Sequence, residues 1–200
     1  LSKKGALVYI LSFEKKEYLT DKNIADIKKG LDKEGIKWFF LSYHKRFQLL
    51  SKPYDIIRGM YTIFYISFKE RIEIIHARGA FCALMGILPR LFLRRKMIFD
   101  IRGFMAEEYV DAGLWNKKSI FYKILATLEQ YLMKKADEVV VLTQRAKDLL
   151  AEMRLSDRKI TVIPTCVDLE RFNLREEINY EMKTKYMLDG KSVLIYTGSL

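Results

Sequence analysis

The chain has 200 residues, half of them hydrophobic, and its 36 lysines and arginines against 25 aspartates and glutamates give a formal net charge of +11. A chain of this length and apolar content can bury roughly 70% of its unfolded surface in one domain, which excludes a disordered tail. The longest apolar stretches, residues 60–68 and 80–89, are too short to cross a bilayer, so we expect no membrane span. The first residues lack a signal-peptide pattern, and the two cysteines make neither a disulfide framework nor a metal site, so we expect a cytoplasmic protein.

The excess of positive charge favours anionic partners, and it leaves nucleic acid, acidic lipid head groups and the pyrophosphate of a nucleotide sugar open. Basic residues border aromatic and apolar ones in residues 90–96 and 117–123. Such stretches are typical of proteins that lie at membrane surfaces, so an anionic membrane surface is a predicted partner. The alternative interpretation is that each of the two stretches forms a helix face exposed to solvent.

Strands and helices are predicted to alternate along the chain. Apolar segments predict strands at residues 5–12, 36–41, 73–77, 96–101, 139–142, 159–163 and 192–197. Helices are predicted from Asp21 to a stop at Gly35, from Pro53 to about Glu70, at 81–94 with a kink or break at Pro89, at 119–135, after Thr143, and at 176–187. Helix 53–70 is apolar nearly all round, which predicts deep burial. Helix 119–135 is predicted to be amphipathic, with an apolar face of Ile120, Ile124, Leu128 and Leu132.

The run from Val139 to Leu142 is apolar throughout, as in a strand buried on both faces of a parallel sheet. Together with the alternation of elements, it predicts an α/β fold with a Rossmann-like doubly wound parallel sheet. Ligands of such sheets bind beyond the carboxyl ends of the strands, where the strand order reverses. The residues expected at those ends are Ser12, Phe13, Glu14, Ser42, Tyr43, His44, Arg78, Gly79, Arg102, Gly103, Thr143, Thr165 and Cys166.

An arginine followed by a glycine stands at two of these strand ends. At the first, Arg78 can reach into a cleft while Gly79 lets a ligand or another backbone come close. The alternatives for Arg78 are that it caps the carboxyl end of a helix or forms an ion pair with a surface carboxylate. His76, in the strand itself, is interpreted as a satisfied buried imidazole.

The second Arg-Gly pair belongs to the densest group of charges in the chain. Asp100, Arg102, Glu107 and Glu108 lie within nine residues, and Gly103 allows a sharp turn between strand and helix. Mixed charges at a strand end can position sugar hydroxyls or hold one another in a structural network, and both interpretations stay open at this point.

Two stretches resemble a known family. Residues 136–143 read Ala-Asp, five more residues and a threonine, and residues 163–168 read Ile-Pro-Thr-Cys-Val-Asp, with Phe172 a few positions on. Their order and spacing resemble the segment that closes the N-terminal half of family 4 glycosyltransferases of the GT-B type, with Thr143 in place of a serine and Thr165-Cys166 in place of Asn-Gly. The stretch from Asp100 to Glu108 resembles a branch of that family that reads Asp-x-Arg-Gly followed by Glu-Glu.

Many family members carry a histidine in that loop, facing the sugars, and this chain has none there. Arg102 is therefore the residue expected to face the reacting centre, with Glu107 as the second catalytic candidate. The candidate substrate-binding residues are Ser12, Glu14, Arg78, Gly79, Asp100, Gly103 and Thr143.

The resemblance implies two Rossmann-like halves, of which the N-terminal one holds a glycan or lipid-linked acceptor and the C-terminal one a nucleotide-diphosphate sugar. It implies transfer with retention of anomeric configuration, without metal or other cofactor, in cell-envelope polysaccharide synthesis at the inner face of the membrane. Residues 1–190 would form the acceptor-side domain and residues 191–200 the first strand of the donor-binding domain. The chain alone is then expected to be inactive.

Other classes have less support. Neither GxGxxG nor a P-loop occurs, and the two glycines that many family members place after the first strand are replaced by Ser12-Phe13-Glu14. The alternative to an enzyme is a non-catalytic basic α/β module that binds nucleic acid, an anionic membrane surface or a protein partner. No RNA-binding signature accompanies the scattered basic residues, so nucleic acid is not an expected partner.

Overall fold

A computed structural model describes residues 2–44, 48–153, 155–167 and 180–193 of the chain. Two compact units are separated after Pro164. The strands of the first unit are Val8–Lys15 (β1), Ile36–Tyr43 (β2), Ile74–Arg78 (β3), Lys96–Asp100 (β4), Glu138–Val141 (β5) and Ile160–Val162 (β6). Its helices are Asp21–Lys33 (α1), Gln48–Lys69 (α2), Ala80–Phe92 (α3), Met105–Asp111 (α4), Ile120–Lys135 (α5) and Gln144–Glu152 (α6).

The strands form two parallel sheets, with helices between successive strands. β1 pairs with β2, and β3, β4, β5 and β6 pair in that order. The hydroxyl of Tyr9, near the start of β1, donates to Glu70, which lies four residues before β3, at 2.9 Å. The amino ends of β1 and β3 therefore lie at one edge, and the carboxyl ends of both sheets lie at the opposite edge. Strand order reverses between β1 and β3, which confirms the predicted doubly wound α/β architecture.

The main core lies on the four-stranded sheet. Phe99 of β4 and Val139 and Val141 of β5 are fully buried against Leu132 of α5 and Leu150 of α6. Burial of large apolar side chains such as these contributes about 1.5–3 kcal/mol each. Two of the helices on this sheet begin at a side chain that accepts a hydrogen bond from a free backbone N–H group: the Ser119 hydroxyl accepts from Tyr122 at 3.2 Å at the start of α5, and Thr143 accepts from Ala146 at 3.1 Å at the start of α6.

Several predicted boundaries are wrong. β1 covers residues 8–15 rather than 5–12, so Ser12 and Glu14 lie within the strand and not after it. α2 begins at Gln48, five residues before Pro53. α3 runs through Pro89 to Phe92, so the predicted break is absent, and Pro89 is buried in the core.

The exposed faces of two helices also differ from prediction. α2 is not buried all round, because an apolar stripe on one side is exposed; its members are Tyr54, Ile57, Tyr61, Tyr65 and Phe68. On α5, Leu132 is buried as predicted, but Ile120 and Ile124 are exposed. The buried face is instead set by Leu125, Glu129, Leu132 and Met133. The spacing of apolar residues predicted that α5 is amphipathic. It could not show which face is buried, because apolar residues occur on both sides of the helix.

The second unit contains the helix Tyr180–Lys185 (α7), within the predicted helix at 176–187. The predicted helical start at Asp168 with Phe172, and residues 194–197 of the last predicted strand, lie outside the described residues. The predicted domain boundary after residue 190 stays a prediction. Among the described helices, none combines the length and the apolar character that a membrane span requires.

Candidate functional site

The last residue of β4, Asp100, is the centre of a charged cluster at the carboxyl edge. Its side chain is 1% exposed. Arg102 donates to its Oδ2 through Nη2 at 2.8 Å and Nε at 3.1 Å, and Nε2 of His76 lies 3.2 Å from the same oxygen. A buried carboxylate is stable only when such partners compensate its charge, so the cluster fixes Arg102 and His76 in place.

The other oxygen of Asp100, Oδ1, is buried and has no hydrogen-bond partner among the described residues. A buried acceptor without a donor costs about 1–3 kcal/mol. An unpaired buried polar atom calls for an explanation, and a role in binding or catalysis is one, so the cluster is a candidate site.

His76 is positioned by the alternation of β3. Ile75 and Ala77 face the core, so His76 and Arg78 project from the opposite face of the strand. The predicted burial of His76 is wrong, because its side chain is 55% exposed, whereas the predicted polar partner of the imidazole is present in Asp100. Sequence alone could not decide this, since apolar residues flank His76 on both sides.

Gly79 and Arg78 follow β3 directly beside the cluster. Gly79 has φ of +86°, a conformation that L side chains rarely adopt, and begins α3. Its N–H donates to the carbonyl of Asp100 at 2.9 Å. In register, Arg78 lies opposite Asp100 and is exposed. The structure therefore brings Arg78, Gly79, Asp100 and Arg102 together, as the sequence predicted.

A cavity of about 220 Å³ lies at the seam between β1 and β3. It is largely apolar, with His76 and Arg78 among its lining residues; the others include Leu11, Phe13, Ile74, Cys82 and Met85. The cavity lies between the two strands where strand order reverses, and it extends from Tyr9 and Ile72 near their amino ends to Arg78 at the carboxyl end of β3. Doubly wound sheets bind ligands beyond the carboxyl end of such a reversal, so only the Arg78 end of the cavity adjoins the candidate site.

The side chain of Glu108 packs against the loop that follows Asp100. The carboxylate of Glu108 occupies the space that a Cβ at Gly103 would fill. A side chain at Gly103 would displace that carboxylate, so the glycine lets Glu108 pack closely against the loop between β4 and α4.

Glu107 contacts α5 rather than Asp100 in the described contacts. Lys117 lies 2.8 Å from its Oε2, and the hydroxyl of Tyr122 donates to its Oε1 at 2.6 Å. Hydrogen bonds from Lys117 and Tyr122 hold the pKa of Glu107 below its ordinary value. The residue thus ties α4 to the start of α5.

Glu129 was not anticipated as a positioning residue. Its buried carboxylate accepts hydrogen bonds from the backbone N–H of Met105 at 2.9 Å and of Ala106 at 3.3 Å. Burial raises the pKa of Glu129. The available signal was a lone carboxylate on the core side of an otherwise apolar helix.

The remaining candidates have local contacts. Ser12 accepts from the indole N–H of Trp38 at 2.9 Å, and Thr143 accepts from the N–H of Ala146 at 3.1 Å as the N-cap of α6. Glu14 is half-buried in β1, opposite Ser42 of β2. Across residues 2–44, 48–153, 155–167 and 180–193, no three His, Cys, Asp or Glu side chains form a group that could hold a metal ion.

The parallel sheets, their flanking helices and the reversal of strand order define a Rossmann-like α/β domain. The sequence profile of Glycosyltransferase Family 4 matches residues 3–171, and the chain belongs to this family.

Its relatives agree with that assignment. The chain is 26% identical over 143 residues to the uncharacterized glycosyltransferase MJ1069 of Methanocaldococcus jannaschii, covering 70% of this chain and 35% of the relative. Crystal structures of Anabaena HepE have the same fold: the complex with UDP and glucose gives a TM-score of 0.55 at 10% identity, over 90% of this chain and 50% of HepE. The complex with UDP-glucose gives 0.53 at 11% identity, over 91% and 50%. The chain therefore spans half or less of the length of these proteins.

Proposed function

We propose that the protein transfers a sugar from a nucleotide-diphosphate sugar to a glycan or lipid-linked acceptor, and that this chain provides the acceptor-side half. Membership of family 4 supports the transferase activity. The HepE complexes with UDP and UDP-glucose support a nucleotide-sugar donor. Retention of configuration and independence from metal form part of the proposal and come from the family resemblance.

The observation that carries the proposal is the Asp100 cluster at the carboxyl edge, next to the seam cavity. Asp100 aligns the guanidinium of Arg102 through two nitrogens on one oxygen, and Arg102 remains 39% exposed. When the bond between the sugar and the diphosphate breaks, negative charge develops on the leaving phosphate. A prealigned cation stabilises that charge without having to reorganise.

Other residues receive roles by position. Arg78 and Gly79 lie where an acceptor would enter beside Asp100, and Gly103 lets the loop turn close to it. The contacts of Glu107, Ser12 and Thr143 favour structural roles for these three, whereas Arg102 is retained as the catalytic residue.

The activity can be tested in the full-length protein with a panel of UDP-, GDP- and ADP-sugars and p-nitrophenyl glycosides as acceptors. We expect one donor to be consumed with formation of a disaccharide product, at an equal rate in excess EDTA. Proton NMR of the new linkage then reports the anomeric configuration. Failure of every donor to bind or react, or strict dependence on added metal, would contradict the proposal.

We place the enzyme at the inner face of the membrane. The surface at the start of α5 combines exposed apolar side chains with Lys118 and Lys123; the apolar members are Leu114, Ile120, Phe121 and Ile124. The basic stretch at residues 90–96 contributes less, because Arg90 and Lys96 form ion pairs with Asp137. The start of α5 is therefore the proposed membrane contact.

A further inference from the structure

A histidine and an aspartate form a pair at the end of β2, apart from the Asp100 cluster. Nδ1 of His44, the residue directly after β2, is 2.6 Å from Oδ1 of Asp55. The backbone N–H of His44 donates to Oδ2 of the same carboxylate at 3.0 Å. Asp55 lies in α2 and is 4% exposed, and both of its described hydrogen bonds go to His44.

The pair fixes the state of the imidazole. An ionised carboxylate only accepts hydrogen bonds. Nδ1 of His44 therefore carries a proton and donates a hydrogen bond to Asp55. In the neutral ring, Nε2 then presents a lone pair. A carboxylate that fixes the tautomer and orientation of a histidine is the usual support for an imidazole that contacts a ligand through its other nitrogen.

An aromatic ring adjoins the pair. The rings of His44 and Tyr54 are 5.5 Å apart at 78°, and Tyr54 is exposed. Ligand sites for small molecules combine an apolar or aromatic surface with a few oriented polar groups, as this one does. Among the described residues, the charged neighbours of the pair include Arg58, which donates to Ser42 at 3.3 Å, and Glu14 and Lys15, which lie opposite Ser42 and Tyr43 in the β1–β2 register.

The pair lies on the same edge as the Asp100 cluster. β1 and β2 are parallel, and the amino ends of β1 and β3 share an edge through the bond from Tyr9 to Glu70. The carboxyl end of β2, where His44 is located, therefore faces the same side as Asp100. A substrate longer than one sugar ring can extend along this edge.

We propose that His44, Tyr54 and Asp55 form a sugar-binding subsite for the acceptor at the end of β2. Nε2 of His44 accepts a hydrogen bond from an acceptor hydroxyl, and the ring of Tyr54 packs against the apolar face of the sugar. Asp55 is a positioning residue that acts through His44. The inference rests on the proposed function, since it takes the bound sugar to be the acceptor.

The test uses the full-length protein with 15N-labelled histidine, observed by long-range 1H–15N NMR of the imidazole. The His44 signals are identified by their loss in His44→Gln. The probes are the methyl glycosides of glucose, galactose and N-acetylglucosamine at millimolar concentration. UDP binding is measured in the same samples by calorimetry.

We expect the neutral His44 ring to carry its proton on Nδ1, and at least one glycoside to shift its Nε2 signal in a saturable way. Asp55→Asn should abolish the preference for the Nδ1-protonated form. Tyr54→Ala should weaken the glycoside affinity at least fivefold. Tyr61→Ala, which removes an even more exposed tyrosine two turns along the same stripe, should leave the affinity unchanged.

Any of three results would contradict the subsite: a proton on Nε2 of neutral His44, no shift of the Nε2 signal with any glycoside, or equal losses of glycoside affinity in Tyr54→Ala and Tyr61→Ala. UDP binding without a glycoside effect would overturn the subsite and leave the proposed function standing. A glycoside effect without binding of UDP or any other nucleoside diphosphate would support the subsite and count against the proposed donor.

Discussion

The carboxylate of Glu129 accepts a hydrogen bond from the N–H of Met105, and this contact supplies the cap that α4 lacks in its own sequence. Phe104 occupies the N-cap position and offers no oxygen, whereas Glu129 reaches across from α5 to the first turn. The loop from Arg102 to Phe104 therefore depends on a residue 24 positions after Met105. The negative carboxylate also lies at the positive end of the α4 helix dipole, where the electrostatic interaction is favourable.

We expect Glu129→Ala to lower the free energy of unfolding by about 1–3 kcal/mol, because it leaves the N–H groups of Met105 and Ala106 buried without an acceptor. Urea unfolding followed by circular dichroism measures this loss. Lys123→Ala, an exposed change on the same helix, is the matched control and should be nearly neutral. A neutral Glu129→Ala would show that the cap does not stabilise α4.

The contribution of Glu129 to the stability of the fold depends on pH, and its raised pKa sets the direction of that dependence. Burial raises its pKa in the folded state, so the folded protein binds this proton more tightly than the unfolded chain. The resulting stabilisation is complete below the unfolded pKa of about 4.3 and is lost as pH rises through the folded pKa. The stability of the wild type relative to Glu129→Gln should therefore be greater near pH 4 than near pH 7. A relative stability that grows towards neutral pH would mean that the folded pKa is depressed.

Arg102→Ala should reduce turnover of the full-length enzyme by well over tenfold while the fold is retained. Loss of one positioned charge in a preorganised site costs about 2.7–4 kcal/mol by comparison with lost oxyanion donors. Arg158→Ala, an exposed arginine before β6 at the amino edge, is the matched control and should retain full turnover. Steady-state kinetics and a thermal melt of both variants decide the matter. Equal turnover in the two variants, or unfolding of Arg102→Ala, would remove the assignment.

Thr143→Ala should destabilise the fold by about 0.5–2 kcal/mol, because the threonine hydroxyl is the N-cap of α6, and Thr143→Ser should restore most of the loss. Denaturation midpoints measure both effects. If Thr143 also touched substrate, KM would rise in Thr143→Ala at temperatures where the variant is fully folded. An unchanged KM there would leave the residue with its structural role alone.

The fold could be predicted because strands buried on both faces are continuous apolar runs, and such runs alternate with helices along the chain. Arg78, Gly79, Asp100 and Arg102 could be predicted as neighbours because parallel strands place their carboxyl ends at one edge. This inference needs only strand order and direction. It fails where the end of a strand is misplaced, as for Ser12 and Glu14, which lie within β1.

The remaining features depend on contacts between distant residues. Glu129 and Asp55 are single carboxylates in apolar helices, and neither their burial nor their partners follow from local spacing. The exposed aromatic stripe of α2 was interpreted as core, since composition cannot separate a buried ring from an exposed one. His76 shows the same limit in a strand.

The surface at the start of α5 should bind anionic vesicles. Each lysine near such a surface contributes about 1 kcal/mol, so the double variant Lys118→Ala, Lys123→Ala should lose about 2 kcal/mol, or roughly thirtyfold in affinity. Sedimentation with vesicles that contain phosphatidylglycerol measures this loss. Lys22→Ala with Lys28→Ala, on the exposed face of α1, removes the same charge and should change little. Equal binding to neutral vesicles, or equal losses in both double variants, would rule out this surface.

The chain alone should fold without binding a nucleoside diphosphate at ordinary concentrations. The four-stranded sheet β3–β6 and the helices α3, α5 and α6 share one buried apolar core, and such a core suffices for independent folding. By the proposed division of roles, the nucleotide contacts come from the other half of the enzyme. Arg78, Arg102 and the small, largely apolar seam cavity then offer too few contacts for a diphosphate in water. A cooperative thermal transition of the 200-residue chain tests the folding, and calorimetric titration with UDP, GDP and ADP tests the binding. Micromolar affinity for any of the three would show that this half carries the donor site and would reverse the proposed roles of the two halves.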